Sequence, residues 1–220
     1  MRQLFFLLFI FLTACTTQPS SLDEEITPRL FTLYSADSTE NRVPRVYDCA
    51  TRAQLGLVSR TFDIDEADIS LRIGAVENGY KIGEIELVII GNAENPTKAL
   101  TRVEVSDIFT GKIVNWAEVG GEDALITLWV YDNEDDLQSA FNETLLKTET
   151  ISTMARQAQN TREMRREIAQ DAYAIGISTQ ADVGTNLRVL YSIEQLPILA
   201  VSKDEPEEIV FSVIRCLQGN

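Results

Sequence analysis

Residues 92–121 read NAENPTKALTRVEVSDIFTGKIVNWAEVGG and carry the clearest local signals in the chain. Thr101 followed three residues later by Glu104 is a capping box, and Leu100 and Val105 stand where a hydrophobic staple forms. The helix they open runs through Ile108 and Phe109 and stops near Gly111. Just upstream, Ile85 to Ile90 is almost wholly apolar, as in a strand buried on both faces.

Working outward, strand and helix signals alternate. Leu30–Tyr34, Ile69–Ile73, Leu125–Tyr131 and Tyr173–Ile177 read as strands, and Leu187–Leu190 and Ile198–Val201 as two further short ones. Between them lie helical patterns. Val43 to Leu55 carries Val46, Cys49, Ala50 and Ala53 on one face, and a later helix carries Leu137, Ala140, Phe141 and Leu145. Asn160 with Glu163 starts a basic helix. The last helix has Ile209, Val210, Val213, Ile214 and Leu217 toward the core and Gly219 past its end. Strands separated by helices imply crossover connections, so the expected class is α/β with a mainly parallel sheet.

Composition removes whole classes of chemistry. Of 220 residues, 19 are Lys or Arg and 34 Asp or Glu, a net charge of −15 that repels nucleic-acid phosphates. No histidine is present, which excludes Ser-His-Asp and Cys-His catalysis and His-ligated zinc. The cysteines, at 15, 49 and 216, are too far apart for a CxxC motif. No nucleophile–base pair or metal-spaced cluster stands out, so no enzyme, cofactor or metal is expected.

The N-terminus supplies an address. Leu4 to Leu12 is an unbroken apolar run of about 14 Å as a helix, half a ~30 Å hydrocarbon core and suited to an export signal. Leu12-Thr13-Ala14-Cys15 resembles the lipobox of bacterial lipoproteins, in which the cysteine is lipidated after cleavage. Residues 1–14 are thus expected to be a signal peptide. Residues 15–26 are read as a lipidated cysteine and a polar tether, whose ten residues TTQPSSLDEE reach ~16–19 Å. The folded part should work at the extracytoplasmic face of a bacterial membrane.

The stretch at 92–121 resembles a segment of phosphate-type periplasmic substrate-binding proteins of ABC transporters, "NPxNP … DIFTGKIxNWxxVGG". Ala67-Asp68-Ile69 before Leu71-Arg72, Ala174-Ile175-Gly176-Ile177 and Pro197-Ile198-Leu199 are similar to further strands of that family. The resemblance implies a two-lobed, periplasmic-binding-protein-like (type 2) fold with solute held between the lobes. Lobe one would be residues 27–91 plus 184–220, and lobe two residues 92–183. The crossovers would lie near 92–96, where Pro96 restricts its own φ and the residue before it, and near 178–184. Phe109 and Trp116 are expected in the core.

The resemblance also implies a ligand set. Ser35, Asp37, Ser38 and Thr39 follow the first strand where the family places ligand-binding hydroxyls, though an ordinary polar turn is the plain alternative. Arg72 matches an arginine after the family's ADI strand; it either meets a ligand or pairs with a lobe-two carboxylate. The second-lobe loop, Ser-Arg-x-x-Gly-Ser-Gly-Thr in the family, is here Tyr131-Asp132-Asn133-Glu134-Asp135-Asp136, with no glycine or serine. Four carboxylates at a helix start oppose an anion, at about 4 kcal/mol for one ~4 Å away at an effective dielectric near 20. They either cap the helix or, at Asp132 or Asn133, face a ligand. Phosphate itself is doubtful. Residues 56–65 are shorter than in phosphate binders, which carry another strand and helix there.

The leading expectation is an exported lipoprotein that binds a small or inorganic solute and presents it to an ABC permease. The alternative is a surface sensor or interaction lipoprotein of the same fold with weak or lost ligand binding. With Cys15 lipidated, Cys49 and Cys216 remain. The family's terminal segment packs on its first lobe, which implies a disulfide between them; two separate buried thiols are the other reading.

Overall fold

A computed structural model describes residues 30–219, apart from residues 54–56, 75 and 77. The expected signal peptide, Cys15 and the tether lie outside the described residues. Strands and helices alternate as β1 (Leu30–Ser35), α1 (Val43–Arg52), β2 (Leu57–Arg60), β3 (Ile69–Ile73), β4 (Gly79–Asn92) and α2 (Arg102–Phe109). There follow β5 (Thr127–Val130), α3 (Asp136–Phe141), β6 (Arg156–Gln157), α4 (Thr161–Gln170), β7 (Ala174–Thr179), β8 (Leu187–Ser202) and α5 (Glu208–Gln218). The eight strands form one sheet in the order β2-β1-β3-β8-β4-β7-β5-β6.

The pairs β1–β2, β1–β3, β5–β7 and β5–β6 are parallel, as expected of strands joined through helices. The two longest strands, β4 and β8, run antiparallel through the middle. β3 pairs only with Ile198–Ser202 of β8, and β7 only with Leu87–Gly91 of β4. At Glu84, Ile85 and Glu86, opposite Pro197, Leu196 and Gln195, the sheet therefore narrows to these two strands.

Two apolar cores lie on either side of that ribbon. The first packs α1 and α5 on β1 and β3 through Leu33, Val46, Leu71, Val213 and Ile214. The larger gathers β4, β5 and β7 with α2, α3 and α4, around Phe109, Trp116, Phe141 and Ile168. This is a two-lobed α/β fold. Phe109 and Trp116 are fully buried, as expected.

Local signals explain the helices. Thr101 and Glu104 make the capping box of α2, with Leu100 and Val105 both buried beside it. Gly111, at φ +78°, follows in a conformation that favours glycine, and a Cβ there would lie 2.8 Å from Ser152 Oγ. Asn160 Oδ1 accepts from Glu163 N–H at 2.9 Å and starts α4. Gly176 lets α4 pack closely on β7, since a Cβ would lie 2.5 Å from Met164 Sδ. The segment at 92–95 is scaffold: Asn92 donates to the carbonyls of Ile168 and Ala169 near the end of α4, and Asn95 to that of Ala172.

Three expectations need correction. The short strands at 187–190 and 198–201 are parts of one strand, β8. Its middle, Tyr191 to Pro197, is polar because only β4 pairs with it, so one edge meets solvent and a proline is tolerated. Ile209 is exposed, lying in the first turn of α5 and off the stripe formed by Val210, Val213, Ile214 and Leu217. Between 56 and 65 the chain does form a strand, β2, but only a single 3-10 turn, Ile64–Glu66, follows it.

Candidate functional site

The ends of the parallel strands converge on the boundary between the cores. The turn Asp37–Arg42 follows β1, Arg72 and Ile73 end β3, the loop Tyr131–Asp135 follows β5, and α4 starts shortly after β6. Ligands of open α/β sheets bind at such carboxyl ends. Proximity is also electrostatic: the carboxylates of Asp136 and Asp135 act on Tyr34, and those of Asp135, Asp37 and Asp182 on Tyr131.

In the turn after β1, Ser35 Oγ lies 2.9 Å from Thr39 Oγ1, and Thr39 donates to the carbonyl of Ala36 at 2.9 Å. Both hydroxyls are thereby engaged in building the turn. Ser38 differs: its side chain is buried at 6% exposure and Oγ has no hydrogen-bond partner among the described residues. A buried unpaired hydroxyl carries a desolvation cost of about 1–3 kcal/mol, which marks the position. Asp37 is exposed and reaches across the boundary, where Oδ2 accepts from Thr161 N–H at 2.6 Å. Thr161 opens α4, so this carboxylate sits on the positive end of a ten-residue helix.

Arg72 reaches the other way. Its Nε lies 2.9 Å from both oxygens of Asp136, its Nη2 lies 2.5 Å from Oδ1, and Ile73 N–H donates to Oδ2 at 3.0 Å. Of the two readings of Arg72 held open above, the structure gives the pairing with a lobe-two carboxylate. The hydrogen bond with Asp136 is also the largest influence raising the guanidinium pKa.

The acidic loop divides its labour. Asp135 caps α3, accepting from Leu137 and Gln138 N–H, and burial pushes its pKa up to about 6. Asp132 closes a local turn with Glu134 N–H at 3.0 Å and accepts from Gln157 Nε2 at 2.8 Å. Asn133 is exposed and its carbonyl accepts from Ser139 Oγ. Tyr131 is buried in the larger core, its hydroxyl donating to the carbonyl of Ile177 at 3.2 Å, and burial raises its pKa well above the usual value.

Sequence reasoning did not single out Tyr34, Thr161, Arg165 or Asp182 for the site. Arg165 lies 3.6 Å from Asp182, which also accepts from Thr179 Oγ1 at 2.8 Å. The start of α4 was readable from Asn160 and Glu163, but its place at the site follows from β6, whose two residues carry no periodic signal. Among the described residues no group of three or more His, Cys, Asp or Glu could hold a metal ion. An apolar groove of about 250 Å³, lined by Ile108, Val114, Leu125 and Met154 among others, shares no residue with this site.

Comparison with known proteins agrees with this architecture. A putative phosphate ABC transporter substrate-binding protein from Clostridium perfringens, solved with bound phosphate, superposes with TM-score 0.72 at 19% identity, over 85% of this chain and 92% of that one. An ABC-type phosphate transport receptor from Vibrio cholerae gives 0.65 at 17%, over 86% and 93%. The regulatory domain of CcmR from Synechocystis PCC6803, in complex with 2-PG, gives 0.60 at 12%, over 86% and 96%. At these identities the likeness is one of fold. No curated protein sequence matches the chain. Residues 37–209, which include Asp37, Arg72, Asp136 and Thr161, match the model of the PBP superfamily domain, and the chain belongs to that superfamily.

Proposed function

We propose that this protein is an exported, lipid-anchored substrate-binding protein, not an enzyme, that captures a small solute between two lobes and presents it to an ABC permease. The observation that carries this reading is the convergence of the β1, β3, β5 and β6 ends on the boundary between two cores joined by a narrow β4–β8 ribbon. Bending is placed at the two-stranded part of the ribbon, so the lobes are proposed as residues 30–84 with 197–219 and residues 87–194. These replace the 27–91 with 184–220 and 92–183 expected from the sequence, because Leu87 to Ile90, Leu187 and Leu190 pack in the larger core. Solute would favour closure through its higher affinity for the closed arrangement. Ser35, Asp37, Ser38, Thr39, Arg72, Tyr131, Asp132 and Asn133 are the proposed surroundings of the solute, with Tyr131 acting through its main chain and the shape of the wall. The neighbours named as phosphate receptors support an ABC-transport role, and the lipobox supports a place on the outer face of the cell membrane.

A second reading, a sensor or interaction lipoprotein of the same fold, is favoured by one observation: Arg72, the cation expected to meet an anion, is engaged by Asp136. A thermal-shift panel of inorganic anions, sugars, amino acids and divalent cations on the mature protein separates the two. A rise of several degrees with one class at moderate concentration supports a receptor; a flat panel supports the interaction protein.

A further inference from the structure

We infer that Asp37 and Asp136 form an internal latch, two carboxylates that cross the boundary in opposite directions and hold the lobes together by occupying oxyanion donors of the opposite lobe. The inference rests on the two-lobed reading above and adds a means of regulating that site.

The case is one of donor chemistry. A cleft built for an oxyanion offers a guanidinium, backbone N–H groups and the positive end of a helix. Each such group here faces a carboxylate of the chain itself. Asp136, from α3, takes Nε and Nη2 of Arg72 and Ile73 N–H at the end of β3. Asp37, from the turn after β1, takes Thr161 N–H at the start of α4. Next to Asp37, the buried Ser38 hydroxyl is a further donor and has no partner among the described residues. An arginine already neutralised by a buried carboxylate gives little to an incoming anion, because the anion must meet the fixed negative charge as well. Asp37 is the releasable half of the latch, since it is exposed and water can replace its one helix contact. Asp136 is the buried half.

Phosphate is the probe that tests this, with small-angle scattering and calorimetry on the mature protein. Wild type should keep the same radius of gyration with and without 10 mM phosphate. The Asp37→Ser/Asp136→Ser variant should be larger in phosphate-free buffer, return to the wild-type radius with phosphate, and bind it at least ten-fold more tightly than wild type does. A folded double variant with the wild-type radius overturns the latch, and expansion without recovery in phosphate overturns the claim that oxyanion donors are being occupied. Should the double variant lose its near-ultraviolet circular dichroism, Asp37→Ser alone decides: amide exchange at Thr161 should rise at least ten-fold while that at Leu71 in β3 is unchanged, and equal exchange overturns the latch. The thermal-shift panel is independent of these outcomes. A flat panel on wild type, with a double variant that expands and recovers in phosphate, sinks solute binding by wild type and keeps the latch, and a hit on wild type with an unexpanded variant does the reverse.

Discussion

Arg72 and Asp136 meet across the boundary of the two cores, Nε lying 2.9 Å from each carboxylate oxygen, with Asp136 at 5% and Arg72 at 26% side-chain exposure. Partners 64 residues apart thereby tie β3 to the first turn of α3. A pair this shielded from water is costly to break from one side, because the remaining charge is left in a poorly solvated place.

Arg72→Met should therefore destabilise the protein by about 2–4 kcal/mol, somewhat below the range for fully buried pairs because the guanidinium is partly wet. Arg72→Met with Asp136→Leu removes both charges and should return to within about 1–2 kcal/mol of wild type. Urea unfolding of the three proteins measures this. Equal losses in the single and double variants would show that the pair contributes packing and not charge.

Asp135 should make stability depend on pH in an unusual direction for a carboxylate. Its pKa is raised from 3.8 to about 6, chiefly by burial against the opposing pull of its capping hydrogen bonds, with the charges of Asp136 and Asp37 adding to the rise. A carboxyl that holds its proton more tightly when folded stabilises most below its unfolded pKa. That contribution is lost as pH rises from about 4 to 6 and stays lost above it. The full effect is of order 2–3 kcal/mol. Asp135→Asn keeps a good helix cap and abolishes the titration. The difference in unfolding free energy, variant minus wild type, should grow between pH 4.5 and 7; a constant difference would place the carboxyl in better-solvated surroundings.

The bond between Cys49 of α1 and Cys216 of α5, with Cα atoms 5.7 Å apart, closes a loop over a sequence separation of 167. The chain-entropy model gives about 5 kcal/mol for a loop of that length, an upper figure. Replacing both cysteines with alanine should lower stability by about 2–5 kcal/mol and separate the last helix first, because α5 otherwise rests on a single stripe of apolar contacts. Intact mass after alkylation in denaturant without reductant tests the bond itself: labelling of Cys49 and Cys216 refutes it.

Legibility in the sequence followed locality. The start of α2, the buried stretch of β4 and the stripes of α1 and α3 each depend on residues within one or two turns of one another, and all were readable. β8 was readable only at its two ends, because pairing with β4 sustains it through a polar middle that includes Pro197. β6, two residues long, was not readable. At the site, the acids of residues 132–136 were visible, and capping and pairing with Arg72 were both among the readings, but which acid does which was not. Asp135 caps a helix and its neighbour Asp136 neutralises Arg72, and only the fold, which sets β3 beside α3, distinguishes them. The contact of Asp37 with Thr161 lies further still from local rules, at a separation of 124.

Cys15 should anchor the protein to a membrane. The motivation is the nine-residue apolar run ending in Leu12-Thr13-Ala14-Cys15. More than one acyl chain is needed for stable anchoring, since one alone binds marginally. Cys15→Ser should shift the protein from the membrane fraction to the soluble one, or leave an uncleaved precursor heavier by residues 1–14. A variant that fractionates and migrates like wild type refutes the anchor.

Orthophosphate should bind wild type weakly, with a dissociation constant in the millimolar range or above. The groups that would hold it at the boundary are already engaged: Arg72 by Asp136, and Thr161 N–H by Asp37. Asp135 adds a third carboxyl, about nine-tenths ionised at pH 7 given its pKa of about 6. A carboxylate ~4 Å from the anion costs about 4 kcal/mol at an effective dielectric near 20, and three orders of magnitude in affinity correspond to about 4.1 kcal/mol. One such neighbour is therefore enough to turn a micromolar site into a millimolar one. Lowering the pH to 5 protonates most of Asp135 and should strengthen binding several-fold. Isothermal titration at pH 7 and pH 5 measures both; a tight isotherm at pH 7 would mean that these carboxylates swing away from the anion when it arrives.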